Sequence, residues 1–204
     1  MKKKIILASK SPRRIELFAK YGIDAESIPA YVDETVPKDI TDPCAIVRYL
    51  SEKKAMHVLK NICDDAIVVA ADTLVFCDEN ILGKPHDKMQ AYEMMKMLSG
   101  RSHNVISGIC VVSKEKKVCE SVTTQVTFRE LSESEINGYI STKDPYDKAG
   151  GYGIQSLAGA FVSEIKGDYY NVVGLPLSRL VSILRNDFGY DALSGLFEKE
   201  KSTE

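Results

Sequence analysis

The sequence predicts an α/β fold built on a mixed β-sheet, and three observations carry that prediction. Helical and hairpin patterns alternate along the chain, which points away from a purely parallel sheet. Ala66–Ala71 is an unbroken apolar run rich in β-branched residues, as a strand buried on both faces requires. The length of 204 residues suits one domain, or two lobes about one cleft, and buries about 70% of the unfolded surface.

Each element has its own local signal. Lys4–Ala8 reads as a short buried strand. Ser11 fits an N-cap and Pro12 the first helical position. They open a helix to Lys20, with Ile15, Phe18 and Tyr21 inward and Gly22 as its stop. Ser27–Val32 is strand-like. A second helix spans Ala45–Lys60, with Ile46, Leu50 and Val58 inward. The strand Ala66–Ala71 ends at Asp72. β character resumes at Leu74–Phe76 and Ile81–Leu82, about the turn Asp78–Asn80. Asp87 caps a helix to Leu98, stopped by Gly100. Val105–Val112 and Val118–Phe128 pair as a hairpin over the polar turn Lys114–Lys117. Ser132 and Glu135 form a capping box. Residues 143–159 are dense in Gly, Asp, Lys and Pro and read as an irregular, functional loop. Ala160–Ile165 and Tyr169–Val173 read as a second hairpin across Lys166–Asp168. Pro176 opens a last helix to about Asp187, and Glu198–Glu204 is a polar, frayed end.

Composition excludes several classes. The hydrophobic fraction is 44% and the charged fraction 27%, which rules out a disordered, collagen-like or coiled-coil chain. The net charge of -2 gives no bulk attraction for duplex nucleic acid. No apolar run approaches the roughly 18 residues of a membrane span, and no signal peptide is expected. The five cysteines are odd in number and lack a Cys-x-x-Cys pair, so neither a disulfide framework nor a thiolate zinc site is expected. Cys110 and Cys119 read as reduced core residues, which makes the cytoplasm the simplest compartment.

Chemistry concentrates in a few places. Arg13 and Arg14 stand in the first turn of a helix, against a dipole that favours negative charge there. An anion lying between these arginines and the helix N–H groups accounts for the placement, and Ser9 and Ser11 add hydroxyls. Asp72 follows a buried strand, where a carboxylate needs a partner or a metal, and Thr73 follows it. Glu34, in the pair Asp33–Glu34, adds a second carboxylate with the oxygen chemistry Mg²⁺ prefers. Lys54, Lys84 and Lys148 each read alone as a solvated charge. Gln155 carries an amide that can read a flat nucleobase edge, with an exposed loop side chain as the alternative. The histidines His57, His86 and His103 lack metal spacing.

Leu7–Arg14 resembles the opening motif of the Maf family of nucleoside triphosphate pyrophosphatases. Later segments resemble that family in the same order: Val32–Glu34, Lys54–Ala55, Ala71–Thr73, Gly83–Pro85, Asp147–Gly150, Tyr152–Gln155 and Asn171–Pro176. The resemblance implies a twisted mixed sheet with flanking helices and two lobes around a deep cleft, in the manner of inosine triphosphatases. It implies one domain over residues 1–189, followed by a tail over 190–204. It also implies metal-dependent hydrolysis of a nucleoside triphosphate, with dTTP and UTP as the expected substrates. Positions matching Arg13, Thr73 and Gln155 are then associated with base selection, and Asp72 with the general base. Ser9, Ser11, Arg14, Lys54 and Lys84 are expected to meet the phosphates, and Glu34 with Asp72 a divalent cation such as Mg²⁺, Mn²⁺ or Co²⁺. The alternative is a non-enzymatic nucleotide-binding regulator of cell division. A homodimer is the assembly to be tested.

Overall fold

The computed structural model of the chain describes residues 3–63, 65–194, 196 and 197. A seven-stranded mixed sheet runs in the order β2-β1-β3-β5-β6-β7, with β4 pairing β3. Its first strands are β1 (Lys4–Leu7), β2 (Ala25–Ser27) and β3 (Ala66–Cys77), joined in parallel through β1. The others, β4 (Asn80–Leu82), β5 (Ser102–Val112), β6 (Lys117–Phe128) and β7 (Val162–Lys166), pair antiparallel. Helices α1 (Pro12–Lys20), α2 (Pro43–Lys60), α3 (Lys88–Leu98), α4 (Glu133–Ile140), α5 (Tyr169–Val173) and α6 (Leu177–Phe188) flank it. This is the mixed α/β architecture expected.

Local chemistry explains most boundaries. Asp42 caps α2 through Ala45 N–H, and with Pro43 at the first helical position the helix starts two residues ahead of the expected Ala45. Asp87 caps α3 through Gln90 N–H. The Ser132–Glu135 capping box forms in full at α4. On α1, Leu17 and Phe18 are the buried residues, whereas Ile15, expected inward, is 40% exposed.

Three expectations are corrected. β3 does not end at Asp72; it runs on through Thr73 to Cys77 as one strand. Tyr169–Val173 is not a strand but the short helix α5, because Asp168 caps it through Tyr170 N–H while β7 pairs with β6 instead. Cys110 and Cys119 are not independent core thiols. The β5–β6 register sets them opposite each other with Cα atoms 4.1 Å apart, joined as a disulfide. Beyond residue 189, Tyr190 and Ala192 are buried against the core. Glu198–Glu204 lies outside the described residues.

The core divides about the sheet. One cluster joins β1, the first half of β3, α1 and α6; a second joins the far end of β3 to α3, α4 and Phe128. A third fills the face under α2, with Ala55 and Val58 on Val68 and Ala70. Gly108 on β5 lets α2 lie this close: a Cβ there would stand 2.1 Å from the Val47 carbonyl oxygen.

Pairing along β3 is unequal on its two sides. β5 accompanies it without interruption from Val68 to Phe76. On the opposite side β1 pairs only to Val69, and β4 joins at Val75. Residues 70–74 therefore have no strand neighbour on that side, and Asp72 and Thr73 fall in the break.

Candidate active site

The break opens into a cleft of about 1310 Å³. All ten residues singled out from the sequence line it: Ser9, Ser11, Arg13, Arg14, Glu34, Lys54, Asp72, Thr73, Lys84 and Gln155. Side chains alternate along a strand, so Asp72 and Thr73 serve opposite faces of the sheet. Asp72 joins the α2 side. Its carboxylate accepts from Lys54 Nζ at 2.5 Å, and Glu34 approaches the same ammonium at 2.9 Å. Asp72 and Lys54 are largely covered, with side chains 15% and 12% exposed.

The acidic doublet of the sequence is divided between two tasks. Glu34 turns to Lys54, while Asp33 accepts from the Thr35 N–H and hydroxyl at 2.9 and 2.7 Å. Those bonds hold the Asp33 carboxyl below its ordinary range. Among the described residues, no group of three or more His, Cys, Asp or Glu is placed to hold a metal. Two carboxylates converging on one cation still fit a hard divalent ion, because Mg²⁺ commonly takes one or two carboxylates and completes its shell with water and substrate phosphate.

Thr73 joins the other face. Arg14 Nη2 donates to its hydroxyl at 3.2 Å, and Ser107 Oγ and the Gly174 carbonyl lie at 2.8 and 3.3 Å. Ser107 in turn donates to the Asn171 carbonyl. The Thr73 hydrogen thus has its acceptors inside the protein. Toward the cleft this hydroxyl can accept but not donate.

Arg14 also donates from Nε to the Gly174 carbonyl at 2.8 Å and from Nη1 to the Ala71 carbonyl at 2.7 Å. Its second Nη1 contact is Ser9 Oγ at 3.5 Å. The guanidinium thereby stands in for the strand missing beside Ala71. Burial lowers the Arg14 pKa, and the nearby Asp72 charge acts in the opposite direction. Ser9 is buried and also receives the Ser11 N–H. No side chain caps α1, and this end of the helix lines the cleft, where free backbone N–H groups suit an anion.

Arg13 and Gln155 stand at the other wall. Arg13 Nη1 donates to Asp147 Oδ2 at 3.1 Å, and Gln155 is exposed. Lys84 is exposed between β4 and α3. Two features were not legible. Ser107 looked like a plain strand residue, though its register opposite Thr73 follows from the hairpin. Lys148 looked like a solvated charge, yet its side chain is 12% exposed and carries two carboxylates.

A family model described as Maf-like protein matches residues 4–187. The chain belongs to the Maf family. A Maf relative from Thermosipho africanus, named dTTP/UTP pyrophosphatase, is 47% identical over 196 residues, spanning 96% of this chain and 100% of its own. One from Bacillus anthracis with the same name is 48% identical over 183 residues, spanning 90% and 95%. Among solved structures, the Ham1 protein of Staphylococcus aureus aligns with a TM-score of 0.52 at 14% identity, covering 91% of this Maf chain and 100% of its own. A HAM1 protein from Coxiella burnetii does so at 0.52 and 12%, covering 89% and 98%. At such identities the Ham1 likeness concerns the fold. No helix among the described residues of this Maf chain is long and apolar enough to cross a membrane.

Proposed function

We propose that this chain hydrolyses pyrimidine nucleoside triphosphates, dTTP and UTP, to the monophosphate and pyrophosphate. The observation that carries the reading is the Asp72 carboxylate, mounted in the break of β3 against Lys54 and Glu34, and lining one cleft with the uncapped N-terminus of α1. Its Maf relatives named dTTP/UTP pyrophosphatase support the substrate class.

Asp72 is the general base. It takes a proton from the water that attacks the α-phosphorus, and the bond from that phosphorus to the bridging oxygen breaks as pyrophosphate leaves. Lys54, Lys84 and the α1 N–H groups meet the phosphate charge, with Ser9 and Ser11 shaping the turn beneath it, while Arg13 serves base selection together with Gln155 and Thr73. Arg14 adds positive potential while bracing the site. Glu34 and Asp72 would hold a divalent cation (Mg²⁺, with Mn²⁺ and Co²⁺ as further candidates). When bound, it neutralises phosphate charge and acidifies a water. The imide of uracil or thymine presents an N–H donor and carbonyl acceptors. Gln155 offers both complements, and Thr73 offers an acceptor. Cytosine, with an acceptor at its ring nitrogen, matches this set less well.

The test is pyrophosphate release from UTP, dTTP, CTP and GTP with each metal. Asp72→Asn is expected to lower turnover by about a thousandfold while UTP still binds. Near-normal turnover in that variant overturns the general-base role. Release of inorganic phosphate overturns the reaction. Nucleotide binding with no turnover under any metal favours the regulator instead.

A further inference from the structure

We propose that Lys148 is the positioning residue for base selection, fixing Arg13 and the Gln155-bearing turn at one separation. The proposal rests on the reading that Arg13 and Gln155 select the base. The Lys148 ammonium donates to the Asp144 carbonyl at 2.7 Å, to Asp144 Oδ1 at 3.0 Å and to Asp147 Oδ1 at 2.6 Å. An ammonium has three hydrogens, so none remains for a phosphate. The side chains of Lys148 and Asp144 are 12% and 16% exposed, and a covered charge of this kind persists only when paired and hydrogen-bonded.

The network continues at both ends into the cleft wall. At one end Asp147 Oδ2 receives Arg13 Nη1 at 3.1 Å, from a helix 134 residues away in sequence. At the other, Asp144 Oδ2 receives Ser156 Oγ at 2.7 Å. Ser156 follows Gln155 directly, and its N–H returns to the Gly153 carbonyl, closing the turn around Gln155. The Lys148 stem fills the space beside that turn: a Cβ on Gly153 would stand 2.8 Å from Lys148 Cδ and Cε. One continuous path therefore links Arg13 to the neighbour of Gln155, with Lys148 at its middle. Such a path makes discrimination a joint property of both residues.

The experiment measures kcat and KM for UTP and CTP in the full chain and its variants. Lys148→Met keeps the stem and removes the charge. It is expected to lower the UTP-over-CTP preference in kcat/KM by about tenfold, through a raised KM for UTP with kcat little changed. Asp147→Asn, at the exposed end of the path, is expected to shift the preference in the same direction, and it serves if Lys148→Met does not fold. Lys148→Arg, which keeps a cation, is expected to recover part of the preference. An equal loss for both nucleotides, or an unchanged preference, overturns the proposal. If Arg13→Ala and Gln155→Ala themselves leave the preference alone, the base-selection reading fails and the proposal with it. If those two shift it while Lys148→Met and Asp147→Asn do not, the proposal alone fails.

Discussion

Four hydrogen-bond contacts run from the Arg14 guanidinium to Gly174, Ala71, Ser9 and Thr73, and all four partners are protein atoms. An arginine in the first turn of an uncapped helix reads from sequence as an anion ligand. Here it first ties three segments together at the break in β3. Lysine cannot reproduce that fork, because a single ammonium cannot reach along several directions in one plane. Arg14→Lys is therefore expected to lower stability by about 1–3 kcal/mol, read by denaturant unfolding, since it leaves covered carbonyls unpaired. The same variant should weaken the UTP-over-CTP preference, because Thr73 loses the donor that fixes its hydroxyl. A variant as stable and as selective as the parent would assign Arg14 to the phosphates alone.

At the scale of elements, the placement of α2 decides whether Lys54 reaches Asp72. Gly108 allows that placement by leaving β5 bare under Val47. Gly108→Ala is expected to destabilise the chain by about 3 kcal/mol, because helix backbone rather than a flexible side chain must move. Its unfolding midpoint checks this. Local chemistry made many elements legible: capping residues placed α3 and α4, and a polar turn between two long alternating runs placed the β5–β6 hairpin. Long-range pairing hid the rest. Asp72 looked like a strand end because apolar residues stop there, whereas β5 carries the strand onward. Tyr169–Val173 has strand-like residues, but Asp168 at its start and an available edge on β6 for the preceding segment made it helical. The site residues were legible as types, since a charge set where a strand or helix begins or ends is costly unless a ligand or an opposite charge meets it. Their partners were not, because Arg13 with Asp147 and Thr73 with Ser107 meet only in the fold.

For the molecule as a whole, the buried wall behind the cleft sets a pH limit. His103 packs edge-on against Phe128 and Tyr152 and shares a hydrogen bond with the Tyr152 hydroxyl at 2.6 Å. Its Nδ1 is buried without a partner. Burial pushes its pKa down from 6.5 to about 4. Well above pH 6.5 the ring is neutral whether the chain is folded or not, and its contribution to stability is complete. As pH falls from 6.5 to 4 the unfolded chain gains a proton that the folded one refuses. Up to roughly 3 kcal/mol of stability should be lost across that window. Unfolding midpoints measured from pH 7 to 4 check this slope, and His103→Phe should flatten it. The break in β3 has a mechanical meaning as well. The ladder to β5 is unbroken on one side, while on the other the Arg14 guanidinium bridges the gap at the Ala71 carbonyl. Asp72 and Thr73 are thereby mounted on backbone that β5 anchors at Gly108 and Ser107, so the cleft opens beside them without cutting the sheet that carries them.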